Sequence, residues 1–371
     1  MSGIKADIAI VGAGIAGASL AAMIGPRARI VLIEGESQPG YHSTGRSAAF
    51  WSESYGGPIV QPLTTASGAW LEEGGYLSPR GCYHIADVES LPGLDTLIAE
   101  LEQGGVAWDA LDRAALEGAI PGLASGFLWG VSEPTCTDID VGRLHADYLA
   151  TARRAGAATL TDADVRAIVR QGGLWRLETR AGVVEAPILV NAAGAWADAV
   201  AAMAGAAPLG IQPYRRTIVQ LATDPAMPHD LPLIMDAAGL FYFKPEAGGR
   251  LWLSPHDEAP VVAHDVAPEE LDVAIAIDRF EHVVDWRVLK RERAWAGLRS
   301  FAPDRLPVYG FDAHATGFFW FAGQGGFGIQ TAPAAAMLGA AVLLGEAMPD
   351  AVTHIDAGRY APGRFAARCP A

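Results

Sequence analysis

Cysteine is scarce in this sequence. Cys82, Cys136 and Cys369 are the only three among 371 residues, and none forms a CxxC pair. That argues against a disulfide framework and against a zinc site, so no metal is expected and the thiols read as reduced ones in a cytoplasmic protein. Positive charge is short as well: 27 Lys and Arg face 42 Asp and Glu, a formal net charge of -15. So acidic a surface repels phosphate backbones, which argues against a nucleic-acid partner. No apolar run reads as a transmembrane segment. Ile8–Gly25 is interrupted by Gly12, Gly14 and Gly17 and has no small-residue cleavage site, and Ala332–Leu344 is shorter than the ~20 residues a bilayer requires. Docking on the inner membrane surface stays open. Internal repeats and low-complexity linkers are absent too. What the chain has is apolar mass, 51% of its residues, in a length that exceeds one ordinary core, so two domains are expected.

The first strong pattern is at the N-terminus. Asp7–Val11 is a short β-branched apolar run, as in a buried parallel strand. Gly12-Ala13-Gly14-Ile15-Ala16-Gly17 follows, then a small, apolar helical stretch to Ile24, then a second strand, Arg29–Ile33, ending at Glu34. This is a dinucleotide-binding unit. Gly12 permits the tight turn, Gly14 the approach of backbone to pyrophosphate, and Gly17 close helix–strand packing. The helix N-terminus offers unpaired N–H groups to phosphate, and Glu34 is placed to accept from ribose hydroxyls.

Four further stretches favour FAD over NAD. Gly40–Ala49 carries Ser43, Thr44, Arg46, Ser47 and Ala48, whose hydroxyls and guanidinium suit a pyrophosphate and a flavin edge. Asn191–Trp196 ends a strand in small residues, Ala193 and Gly194 before Trp196, which let a cofactor pass closely. Trp295–Ser300 is the third. The fourth, Gly323–Thr331, is a glycine-rich turn with Gly325, Gly326, Gly328, Ile329, Gln330 and Thr331 ahead of a helix to Leu344. Its N–H groups suit negative charge on a reduced ring. Val165 opens a strand expected beside the cofactor.

Between these ends the chain alternates as an antiparallel sheet at Arg216–Leu221, Leu240–Lys244 and Leu251–Ser254. Helices are expected at Leu94–Gln103, Val141–Ala155 and Leu271–Val283, and the loop 35–57 has room for a short helix near Ser47–Trp51. The expected fold is α/β: a discontinuous Rossmann-like FAD-binding domain (1–80, 140–205, 291–371) with an inserted substrate domain built on a mixed β-sheet (81–139, 206–290).

In order and spacing, Gln38–Ala49, Val190–Ala199, Ala263–Asp272, Trp295–Phe301 and Gln324–Thr331 resemble the D-amino-acid oxidase family of flavoenzymes, with the bacterial D-amino-acid dehydrogenases nearest. The resemblance covers nearly the whole chain. It implies non-covalent FAD, an active site between the domains, and oxidative deamination of a D-amino acid to a 2-oxo acid and ammonia by hydride transfer to flavin N5. Electrons would then pass to a quinone or oxygen. It implies that Arg216 and Arg299 grip the substrate carboxylate, a task that suits the two parallel donors of a guanidinium, with Arg215 the neighbouring competitor for Arg216. It makes Tyr55 and Tyr242 active-site tyrosines and Gln330 a polar residue near the flavin. Some relatives attach FAD to a histidine near His42; the dehydrogenase likeness argues against attachment here. The arginine-selective members carry an acid where this chain has Cys82 and a histidine where it has Phe50, so neutral or apolar side chains are expected, with Glu53 and His84 as nearby sources of polarity. Oxidation of an N-methyl amino acid or a 2-hydroxy acid, and a flavin-carrying subunit of a larger complex, are the competing readings.

Overall fold

The computed structural model describes residues 3–368; Cys369 lies outside them. Ile8–Val11, Ile30–Ile33, Ile188–Asn191 and Phe318–Ala322 are buried along almost their whole length, as strands covered on both faces must be. They form the centre of a six-stranded sheet in the order Ala158–Leu160, Ile30–Ile33, Ile8–Val11, Ile188–Asn191, Phe318–Ala322, Val308–Phe311, parallel except for the last pair. On one face lie the helices Ile15–Ile24, Val141–Arg154 and Ala332–Leu344, with Gln61–Glu73 packed on the last. The first and third are apolar on all sides because each is enclosed. The other face carries a four-stranded sheet, in which Trp175, Leu177 and Val184 pack on Val11, Val31 and Leu189.

The second large sheet is built on two long strands, Gln212–Asp224 and Arg287–Phe301, paired antiparallel from Gln212 opposite Phe301 to Asp224 opposite Arg287. Arg250–Ser254, Tyr242–Glu246, Leu233–Asp236, Cys82–Ala86, Trp129–Glu133 and Asp109–Asp112 continue it outward. Helix Glu270–Val283 covers it through Val273, Ala276 and Phe280. No helix among the described residues is long and apolar enough to cross a membrane.

Two sequence expectations change. Ser47–Trp51 is not helical: a single turn at Thr44–Arg46 precedes a short strand, Phe50–Trp51, paired with Thr137–Ile139. Trp295–Ser300 is part of the 15-residue strand Arg287–Phe301, so the boundary expected at residue 291 falls inside a strand of the second large sheet. Helix Gln61–Glu73 was not anticipated.

Candidate active site

A cavity of about 750 Å³ runs from the dinucleotide turn to the long-strand pair. The turn has the strain its glycines require. Gly12 has φ +100°, and a Cβ there would lie 2.3 Å from the Ala192 carbonyl oxygen; at Gly17 a Cβ would lie 1.9 Å from Gly12 O. Gly12, Gly14, Ile15 and Ala16 line the cavity, whereas Ala13 and Gly17 stand behind it. Ala13 is locked: its N–H donates to Glu34 Oε2 at 2.9 Å and its carbonyl faces His145 Nε2 at 2.8 Å. Glu34 Oε1 accepts from Glu36 N, so the carboxylate is fixed at the cavity wall. Thr44 Oγ1 takes the Ile15 N–H at 3.0 Å, tying the second stretch to the helix start.

Ser43, Thr44, Arg46, Ser47, Ala48, Val165, Ala193, Gly194, Trp196, Gly325, Gly326, Gly328 and Ile329 all line the same space, and so do Glu36, Arg166 and Arg180, which the sequence did not single out. These residues fit FAD: a backbone-lined turn where pyrophosphate must approach closely, a carboxylate at ribose reach, and small residues along the remaining length. Arg46 differs from its expected task. Its guanidinium donates to Val266 O at 2.9 Å, to Ala296 O at 3.2 Å and to the Asp265 carboxylate, and so clamps the loop to the large sheet. His42 also lines the cavity, with Nε2 2.9 Å from Glu36 Oε1 and its ring against Trp196. Thr331 and Ala332 direct their N–H groups into turn bonds with Phe327 and Ile329, which leaves Gly328 and Ile329, not Thr331, at the wall.

The strand register assembles the other end. Arg216 stands opposite Gly297, and side chains repeat every two residues, so Arg299 shares its face as a diagonal neighbour. Ile218 is on that face of the same strand, and Tyr242, paired with Ser254, packs against it. Arg215 points the other way, to Glu269 at 2.9 Å and Asp272 at 2.8 Å. Arg216 is 3% exposed. Its Nε donates to Asp257 O at 2.7 Å and Nη2 to Glu258 Oε1 at 3.2 Å, while Nη1 is buried without a partner among the described residues. Burial, and then the Arg299 charge, lower its pKa to about 10. Arg299 Nη1 donates to the Tyr55 hydroxyl at 2.5 Å. The Tyr242 hydroxyl, its pKa raised by burial, has no partner among the described residues. The site therefore holds two guanidiniums, an unpaired N–H and an unpaired hydroxyl, a set that an anion completes.

Phe50 sits between the two tyrosines, 5.3 Å from the Tyr55 ring and 6.0 Å from that of Tyr242. It closes an apolar cluster with Cys82, Cys136, Ile218 and Met235. Burial, and then Cys136, push the Cys82 thiol up. Glu53 is not in the pocket: its carboxylate accepts from Thr65 on helix Gln61–Glu73. His84 lines a second cavity of about 330 Å³ beyond Tyr55, together with Ser54, Leu97, Glu100 and Met235. Gln330 lines neither. It is 2% exposed, and its Nε2 donates to Tyr55 O and Thr64 Oγ1, each at 2.9 Å, so it holds the Tyr55 loop from behind.

Sequence reasoning missed two groups. His256-Asp257-Glu258 cradles Arg216 from the loop after strand Arg250–Ser254. The Asp257 carboxylate accepts from Thr217 N and Oγ1, and His256 Nδ1 is bonded to the Gly239 carbonyl with its ring edge-on to Tyr242. Burial first, and then Arg216 and Arg299, depress the His256 pKa to about 2. Its one visible signal is three polar residues in a row after Pro255, which follows the strand Arg250–Ser254. The other group is Glu133, buried under Ser52–Ser54, which has no spacing or motif to mark it.

The family described as FAD dependent oxidoreductase matches residues 7–342. Among characterised proteins, hydrogen cyanide synthase subunit HcnC of Pseudomonas aeruginosa is 27% identical over 283 residues, 76% of this chain and 66% of its own length; HcnC of Pseudomonas protegens is 25% identical over 96% of both. The chain thus spans just under two thirds of the first relative. Among solved structures, L-proline dehydrogenase from P. horikoshii superposes with a TM-score of 0.85 at 22% identity over 99% of both chains. Glycine oxidase from Geobacillus kaustophilus superposes with 0.84 at 22% identity over 97% of this chain and 99% of its own. At these identities the structural likeness is one of fold.

Proposed function

The chain belongs to the FAD dependent oxidoreductase family, and from that premise we propose that it oxidises the C–N bond of a D-amino acid with a neutral side chain. The observation that carries this is the pair Arg216 and Arg299 on one sheet face, with Arg216 Nη1 and the Tyr242 hydroxyl buried and unpaired. A carboxylate supplies what both lack. Arg216 donates through Nη1, Tyr242 through its hydroxyl, and Arg299 holds Tyr55 so that the Tyr55 proton stays free to donate to the same anion. This fixes the substrate by its carboxylate and leaves Cα one orientation toward the cofactor cavity.

FAD, when bound, supplies the two-electron acceptor for the Cα hydride. The protein's own contribution is to deliver the amine neutral, with its lone pair free. Desolvation beside two guanidiniums lowers the amine pKa, so no strong general base is required. The imino acid hydrolyses in water to a 2-oxo acid and ammonia. Ile218 at the cavity wall, backed by the apolar cluster of Phe50, Cys82 and Met235, offers the side chain an apolar surface, and Glu53 is turned away to Thr65. A cation meeting no acid there is penalised, while each buried methylene contributes ~0.8 kcal/mol.

The test is kcat/KM for D-leucine, D-methionine and D-phenylalanine against D-arginine and D-lysine. Neutral substrates should win by about tenfold or more, since several kcal/mol oppose an unpaired cation. A tenfold preference for the cationic pair would overturn the neutral-side-chain reading and direct attention to Glu100 in the second cavity.

A further inference from the structure

Glu133 ends the strand Trp129–Glu133, is 0% exposed, and takes no part in the steps above. Its carboxylate meets one short segment. Oε1 accepts from the N–H groups of Glu53 at 2.7 Å and Ser54 at 3.4 Å; Oε2 accepts from the hydroxyls of Ser52 at 2.9 Å and Ser54 at 2.6 Å. His84 Nε2 lies 3.7 Å from Oε2. A carboxylate this deep is tolerated only when donors surround it, and here nearly all of them come from three consecutive residues.

The residue that follows is Tyr55. Its carbonyl accepts from Gln330 Nε2 at 2.9 Å, so its backbone is held from both sides, by Glu133 through the preceding N–H groups and by Gln330 behind. Beyond it the chain swings away through Gly56 and Gly57, with φ of +112° and +73°. The turn's own backbone bonds are long, Tyr55 N–H to Ser52 O at 3.3 Å and Gly57 N–H to Ser54 O at 3.4 Å, and the ring rests on Phe50 and Phe327, so the two tethers add the polar part of its support. At its far end the Tyr55 hydroxyl accepts from Arg299 Nη1 at 2.5 Å. A chain of contacts therefore runs from the strand end, through the turn, to the substrate anion site.

We propose that Glu133 is a positioning residue: it sets the Tyr55 turn, and through the Tyr55 hydroxyl the Arg299 guanidinium, so that substrate-carboxylate affinity depends on a residue that does not touch substrate. This rests on the carboxylate-clamp reading above. A simple scaffolding role would lower stability and leave binding untouched, whereas action through Tyr55 makes the two residues energetically inseparable at the anion site.

The experiment is a double-mutant cycle on the flavin-loaded protein with Glu133→Gln, Tyr55→Phe and the pair. It reads benzoate affinity from the perturbation of flavin absorbance, together with KM and kcat for D-leucine and melting temperature. Glu133→Gln keeps shape but turns an amide NH2 toward donors. Each single variant should weaken benzoate binding and raise KM by about tenfold with a smaller change in kcat, and the double variant should be little worse than either single. Ser54→Ala, which removes only the 2.6 Å bond, should give a smaller shift of the same kind and serves if Glu133→Gln does not fold. Multiplicative losses in the double variant, or a Glu133→Gln protein with lowered melting temperature and unchanged benzoate affinity, would overturn the inference. Those outcomes leave the clamp itself standing. A wild type that neither binds benzoate nor turns over D-leucine would overturn both.

Discussion

At the scale of single residues, which arginine faces the cavity is decided by register. Arg215 and Arg216 are adjacent and chemically identical, so the sequence alone left Arg215 as a competitor. Antiparallel pairing puts Arg216 opposite Gly297, on the face of Arg299, and sends Arg215 to Glu269 and Asp272. Arg299→Met should keep FAD and lose roughly a hundredfold in kcat/KM, the consequence of leaving a carboxylate without ~3 kcal/mol of charge-assisted bonding; near-normal turnover would remove Arg299 from the clamp. Arg215→Met should cost stability rather than affinity for substrate. His256 makes a prediction in pH. Its folded-state pKa, about 2, lies below the value near 6.5 of an unfolded histidine. Its contribution is therefore complete above about 6.5 and is lost as pH falls from there toward about 2, because the unfolded chain gains a proton that the folded one refuses. His256→Asn keeps a residue type that tolerates φ +55°. Urea unfolding at pH 7 and pH 5 should show wild type losing about 2 kcal/mol more than the variant between them. An identical loss in both would contradict the buried neutral imidazole.

At the scale of elements, the strand–turn–helix at the N-terminus was readable because its demands are local: buried apolar strands, a positive φ at Gly12, and no room for a Cβ at Gly17. Gly17→Ala must push the helix off Gly12 O, so it should yield protein with little or no bound flavin, checked by visible absorbance after purification with added FAD; full flavin content would show that the turn relaxes freely. Less legible were elements whose form is imposed from a distance. Phe50–Trp51 is a strand because Thr137–Ile139 pairs with it, and Trp295–Ser300 is extended because Gln212–Asp224 lies alongside. Gln330 reads as a cofactor residue from its glycine-rich surroundings, yet the helix start turns it toward Tyr55 and Thr64. The Ser52–Tyr55 turn has its own pH signature. Burial would raise the Glu133 pKa, but the nearby His84 and the hydrogen bonds from Ser54 and Ser52 hold it below the ordinary carboxylate value. Its stabilisation is present above that value and is lost as pH falls through the lower one. The melting-temperature gap between wild type and Glu133→Gln should accordingly close on acidification; a gap that widens would reverse the sign of the account.

At the scale of the whole molecule, one cavity joins the two sheets: the dinucleotide turn lies at one end, and Arg216 and Arg299 at the other. The phosphate end was legible in the spacing of Gly12, Gly14 and Gly17, whereas Arg216 and Arg299 were named through the family resemblance and no local pattern marks them. The sequence could not place the supports between them, Glu133 and His256–Glu258, because their roles exist only in the folded register. FAD held by backbone turns and hydrogen bonds should colour the purified protein yellow and leave it on acid or heat treatment. The most direct measurement of the central claim is anaerobic bleaching of that flavin by substrate. D-Leucine should reduce it fully, with L-leucine, sarcosine and 2-hydroxyglutarate far slower; a flavin that stays oxidised with every neutral D-amino acid while one of the other three bleaches it would contradict the account.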